Sequence, residues 1–234
     1  MSTPPGPGWF RDTAQLYAGV FRRGAILALR NWPVGLAVVG YGLLLLGAQI
    51  LTAPLGFLGG FIMYLVLVAC TSSWLSLVAE VIRSGRVRAA DVVTGFGTYL
   101  GDLLTVGFLV WVLSLTAELV LAPFPLLQIV FVLATVVFLN AVPELLYLGR
   151  HAAGALLVES YRFIGENWIE WFPANLLLGA CLYATGFVPA GPYGLVFGLV
   201  SGLTLYFAMI VRGLLFQELA TSSRRARAFR RASS

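Results

Sequence analysis

Charge is what this chain has least of. Only 11% of its 234 residues are charged, 59% are hydrophobic and the mean hydropathy is +0.90. A soluble domain needs more charge than that to cover its surface, so composition points to an integral membrane protein. Lysine is absent, and all 15 basic residues are arginine against 10 acidic ones. That usage fits a GC-rich bacterial genome and carries nothing about mechanism. The one histidine, His151, stands beside Arg150 at an expected membrane boundary, with no partners for a metal cluster or a nucleophilic triad. The two cysteines, Cys70 and Cys181, lie in apolar runs, which gives neither a disulfide framework nor a zinc spacing. Without lysine no phosphate-binding glycine loop ending in Lys-Ser or Lys-Thr can form, which excludes a nucleotide-driven motor from these residues. We therefore expect a non-enzymatic chain without cofactor or metal.

What the chain has is long apolar runs. A bilayer core takes about 20 apolar residues in a helix. Six segments meet or approach that length, roughly 33–52, 55–79, 103–122, 125–147, 174–189 and 193–216. The connections at 51–56, 122–127 and 187–194 are short, uncharged and rich in Pro and Gly, so each pair of spans should close as a helical hairpin. Every arginine lies outside these three turns. By the positive-inside rule both termini face the cytoplasm of a bacterial inner membrane. Residues 1–12 read as a flexible arm with no cleavable signal pattern, 13–220 as one six-helix domain, and 221–234 as a basic tail. That tail, with five arginines in "SSRRARAFRR", suits anionic inner-leaflet lipid better than nucleic acid, for which no folded module is present.

Between the hairpins the sequence turns polar and aromatic. "ESYRFIGENWIEW" (159–171) places Glu159, Arg162, Glu166 and Glu170 on one helical face and Tyr161, Ile164, Trp168 and Trp171 on the other. This pattern suits a helix lying in the membrane interface, with Trp168 and Trp171 as anchors and Arg162 pairing with Glu159 or Glu166. Pro173 should end this helix and start the next. Similar stretches precede the first and third spans, and Trp32 stands at the first as an equivalent anchor. A shift of 68 residues aligns Asn31, Tyr99 and Asn167, and also Asp91 with Glu159 and Asp102 with Glu170. The chain thus reads as an all-α polytopic protein, a threefold repeat (about 15–82, 83–150, 151–220) of one interfacial elbow and one hairpin.

Polar groups at membrane depth are the candidates for function, because an unpaired charge there is costly. Asn140 and Glu144 lie four apart beside Pro143, which should kink the fourth span, and Glu118 lies near the outer end of the third. They form a candidate polar cavity; the bland reading pairs Glu144 and its like (Glu80, Glu218) with Arg83, Arg150 and Arg212. Gly194, Gly198 and Gly202 make a stripe along the sixth span that lets helix backbones approach, within the chain or across a homo-oligomer.

With its elbows in place, in "GRVRAADVVTGFGTYLGDLL" and "LLVESYRFIGENWIEWF", the chain resembles over residues 15–220 the six-helix membrane domains attached to some bacterial glycerophosphodiester phosphodiesterases. In those enzymes hydrolysis belongs to a separate soluble domain, so the resemblance implies an accessory or lipid-associated membrane module and no catalytic residue. Two functions compete. One is a scaffold, accessory subunit or lipid-interacting module, bound to membrane lipids and a membrane-protein partner. The other is a permease subunit for a small or lipid-like substrate, driven by a separate ATPase.

Overall fold

A computed structural model of the chain describes residues 9–149, 153–186 and 194–221. Among the described residues the fold is all-helical. In chain order it comprises α1 (Trp9–Arg30), α2 (Trp32–Thr52), a 3-10 turn (Ala53–Leu55), α3 (Gly56–Ser84), α4 (Ala89–Thr98), α5 (Leu100–Leu121), α6 (Pro125–Phe138), α7 (Val142–Leu148), α8 (Ala153–Gly186) and α9 (Gly194–Thr221). Residues 9–12 of the expected arm are already helical. The third turn, the basic tail and the pair Arg150–His151 fall outside the described residues, apart from Gly186, Gly194 and Thr221 at their edges.

Four stretches are long and apolar enough to cross a membrane: Trp32–Ser84, Leu100–Leu121, Pro125–Leu148 and Gly198–Thr221. The first contains both arms of a hairpin. Its turn is closed by Pro54 and by Gly56 at φ 56, a left-handed backbone that a side chain would strain. The second turn ends with Pro125 in the first turn of α6, where a missing N–H costs nothing.

Burial is uneven along the spans. The core gathers residues 68–82 of α3, 141–147, the middle of α8 and 206–219 of α9. No residue of α5 or α6 is buried, and side chains such as Leu43, Phe57, Trp111 and Leu126 are exposed. On helices of spanning length such surface is matched to hydrocarbon, which is as apolar as leucine. α3 sits at the centre, packed against α2, α4, α5, α7 and α9; α1 lies on α9, and α8 on both α7 and α9.

Two helix breaks orient the bundle. At Asn31 (φ −116, ψ 32) α1 turns into α2, and the Asn31 amide donates to the carbonyls of Leu27 and Gly85, both at 3.0 Å. The Tyr206 hydroxyl donates to the Asn31 carbonyl oxygen at 3.1 Å, tying this corner to α9. Asn31→Ala removes two side-chain bonds at a buried corner, each worth about 1 kcal/mol net. We expect a loss of about 2 kcal/mol, measured as a lower detergent fraction at the midpoint of SDS-induced unfolding.

At the second break α4 is clasped to α3 by two serines. Ser72 Oγ donates to the Gly95 carbonyl and accepts from the Tyr99 amide, both at 2.9 Å. Ser73 Oγ donates to the Val92 carbonyl at 2.8 Å, so the Tyr41 hydroxyl, 2.7 Å away, is the donor to Ser73. Gly95 permits this approach, since a Cβ there would stand 3.1 Å from Ser73 Cα and Ser76 Cβ.

The third elbow departs from expectation. α8 runs unbroken from Ala153 to Gly186 with Pro173 inside it, so Pro173 neither ends nor starts a helix. Around the proline, backbone carbonyls receive side-chain donors: Tyr17 Oη donates to the Glu170 carbonyl at 2.8 Å, and Asn175 Nδ2 to that of Trp171 at 2.7 Å. Burial, followed by the nearby Glu170 carboxylate, pushes the Tyr17 phenol up to about 12, which keeps it protonated as a donor.

Of the glycine stripe, Gly202 meets α2, where an added Cβ would lie 3.4 Å from Val38 and 3.8 Å from the Gly35 carbonyl oxygen. Gly198 has open space beside it, and Gly194 begins α9. Of the described pair, Gly202 alone is therefore at a close helix crossing.

Candidate functional site

Pro143 does mark an interruption. α6 ends at Phe138, residues 139–141 form turns, and α7 starts at Val142 with Pro143 in its first turn. The break turns Asn140 and Glu144 toward α8 and α9. Arg212 of α9 reaches both: its Nε donates to Glu144 Oε1 at 2.7 Å, and its Nη2 donates to Glu144 Oε2 at 2.9 Å and to the Asn140 carbonyl at 2.6 Å. Glu144 is 0% exposed and the Arg212 side chain 18%. Two parallel bonds from one planar guanidinium make the strongest ordinary carboxylate contact.

Trp171 completes the group. Its indole N–H donates to Asn140 Oδ1 at 2.9 Å, and its ring lies 5.2 Å from the Arg212 guanidinium carbon, within cation–π range. Below it, Tyr147 is fully buried and donates to the Met209 carbonyl at 3.3 Å. Arg83 of α3 donates to the Tyr147 carbonyl at 2.6 Å, neutralising the C-terminal end of α7. Two sets of polar groups thus fasten the helices: Arg212 holds α9 to α7 and α8, and Tyr147 holds α7 to α3 and α9.

The expected trio separates. Asn140 and Glu144 meet, but Glu118 is exposed near the far end of α5, with the 14 residues of α6 between the two levels. At 1.5 Å per residue that is about 20 Å of helix. The interfacial anchors also divide. Trp32 and Trp168 are each 56% exposed, whereas Trp171 is 0% exposed and is a core residue. Arg162 is exposed and pairs with Glu159 at 2.9 Å. The buried face of α8 runs through Ser160, Phe163, Ile164, Asn167, Trp171 and Ala174, so Glu170, at its edge, is buried while Tyr161 is exposed. A polar-versus-aromatic division of the helix missed this, because protein-facing and lipid-facing positions are both apolar in a membrane.

Chemically, the cluster is saturated. Both Glu144 oxygens accept from Arg212, leaving that carboxylate committed to a partner already in the fold. Among the described residues no three His, Cys, Asp or Glu side chains gather as a metal could require. Beside the cluster, but on the opposite side of α7, an apolar cavity of about 510 Å³ is bounded by Val142, Pro143 and Leu146 together with residues of α2, α3, α5 and α9. The sequence pointed to a kink at Pro143 and offered arginine pairing of Glu80, Glu144 and Glu218 only as the alternative to a polar cavity, without singling out Arg212 for Glu144; it gave no sign of the apolar cavity, which has no polar signature. Comparison with protein-family models, with curated proteins and with solved structures returns no match for the chain.

Proposed function

We propose that the chain is a non-enzymatic integral protein of the bacterial inner membrane, a lipid-interacting module that serves as scaffold or accessory subunit. The observation that carries this reading is the saturation of Glu144 by Arg212 inside the bundle: the charged group best placed to meet a cationic substrate or a proton is spent on holding α7 to α9. A permease built on Asn140 and Glu144 would need those groups to face a path, and they face Trp171 and Arg212 instead.

In this reading six helices span the membrane, the fifth being the part of α8 that follows Pro173, and both termini are cytoplasmic. The three elbow-and-hairpin units are arranged cyclically, each elbow resting on the last helix of the preceding unit. Three observations support that arrangement. α1 packs on α9, α4 on α3, and α8 on α7. The breaks at Asn31 (φ −116, ψ 32) and Tyr99 (φ −117, ψ 10), 68 residues apart, share a backbone conformation. Asn31 and Asn167 each donate Nδ2 to the carbonyl four residues back, Leu27 and Phe163, at 3.0 Å. The same shift places Ser76, Glu144 and Arg212 in one register, so the ion pair joins matching positions of the second and third units.

Native mass spectrometry of the full chain, released gently from its own membrane, tests the function. A membrane protein at fixed stoichiometry or one enriched lipid class is expected. Bare protein carrying lipid in bulk proportions would overturn the reading.

A further inference from the structure

The corner where α1 turns into α2 gathers arginines that no carboxylate answers among the described residues. Asn31 Nδ2 donates to the Gly85 carbonyl, which brings the connection between α3 and α4 against the end of α1. Arg30 and Arg86 each stand one residue from a partner in that bond. Leu27 faces Gly85, its Cδ2 lying 3.7 Å from where a Gly85 side chain would begin. Arg23 and Arg30, four residues before and three after Leu27, lie on the same side of α1. All three arginines are exposed, and among the described residues none of them is in an ion pair. Carbonyls at helix ends would ordinarily hold such cations, but Asn31 answers those of Leu27 and Gly85, and Ser84 answers that of Arg86. Of the acids nearest in sequence, Asp91 accepts from the Arg88 backbone N–H at 2.7 Å, and Glu80 lies near Tyr99, where Arg83 is also found.

We propose that this corner binds an anionic phospholipid, its phosphate held by Arg30 and Arg86 with Arg23 beside them, and its acyl chains lying along α2. Charge selects the headgroup. Uncompensated cations favour a lipid of net negative charge, and each planar guanidinium can present two parallel N–H groups to phosphate oxygens. The neighbouring side chains select a lipid over a free anion. Ile26 and Leu29 of α1 and Trp32 of α2 are exposed, Leu29 at 75%, so the arginines rise from an apolar surface that inorganic phosphate leaves bare and a lipid covers. Depth agrees: Arg30 stands two residues before Trp32, where the stretch of spanning length begins, so its stem lies against apolar groups and its guanidinium reaches the headgroup layer. From there Trp32, Leu36, Leu43 and Ile50 recur on one exposed face of α2, a continuous apolar track for the chains.

The site rests on the lipid-interacting reading and gives it a headgroup. Its test is native mass spectrometry of the full chain in mild detergent, titrated with phosphatidylglycerol or with phosphatidylcholine of the same acyl chains. The first phosphatidylglycerol should bind more tightly than the first phosphatidylcholine. Each arginine beside an anionic headgroup should count about fivefold, so Arg86→Gln alone should weaken phosphatidylglycerol by that factor and Arg30→Gln with Arg86→Gln about twenty-five-fold. Phosphatidylcholine binding should not change. Arg162→Gln removes an equally exposed cation, but one already paired with Glu159, and should leave both lipids unaffected. Every variant keeps the arginines of residues 222–231, which set a common background. Inorganic phosphate in large excess should not displace the lipid. Equal affinity for the two lipids, unchanged binding in the double variant, an equal loss in Arg162→Gln, or displacement by phosphate would overturn the site. The lipid-interacting reading fails separately, by the absence of an enriched lipid class or fixed partner from the protein's own membrane.

Discussion

Arg212→Met lowers the unfolding free energy by about 3–5 kcal/mol, the loss expected when one partner of a buried pair is removed and the other charge is left stranded. The stranded group is Glu144, which has no exposed surface and, among the described residues, takes its side-chain hydrogen bonds from Arg212. The same substitution frees the Asn140 carbonyl and takes the cation from the face of Trp171. Glu144→Gln should cost less, because the arginine stem can carry its charge toward water. Glu144→Gln combined with Arg212→Met should be more stable than Arg212→Met alone, since removing the second charge relieves the first. The measurement is SDS-induced unfolding followed by tryptophan emission. Strictly additive losses would mean that the pair is solvated and contributes little.

Gly95→Leu is the second large effect, an expected loss of about 3 kcal/mol from overpacking at a helix crossing. The obstructing atoms include Ser73 Cα, which is backbone and cannot swing aside as a side-chain tip could. Accommodating a side chain requires α4 to lift from α3, which also breaks the bonds from Ser72 to the Gly95 carbonyl and from Ser73 to the Val92 carbonyl. Gly95→Ala should fall between wild type and Gly95→Leu in the same unfolding assay. Limited proteolysis should cut Gly95→Leu near the Arg86–Arg88 connection faster than wild type. Equal stability of all three proteins would show that α4 is already loosely held.

Much of this architecture was legible from composition and rhythm alone. Low charge, proline-bearing turns and apolar runs gave the hairpins closed at 53–55 and 122–124, and the option of pairing Glu144 with Arg212 was readable from their depth. What could not be read was the facing of each helix. Trp171 looks interfacial by residue type, yet its N–H finds Asn140 and its ring finds Arg212, partners 31 and 41 residues away in the chain. Pro173 looks like a terminator, yet α8 continues through it, and beside it Tyr17 of α1 donates to the carbonyl of Glu170, 153 residues away. In each case the deciding neighbour is distant in sequence, and local periodicity carries no information about it.

The contact between α1 and α9 sets the order in which the molecule can be assembled. Chains emerge from the ribosome amino-terminus first. α1 is therefore made well before α9, the helix on which it rests. The bond from Tyr206 to Asn31 likewise joins residues 175 positions apart. Until α9 has been made α1 stands without this partner, so the contact can close only after all the intervening helices exist. Synthesis of α9 is thus itself the step that lets α1 lock into the fold.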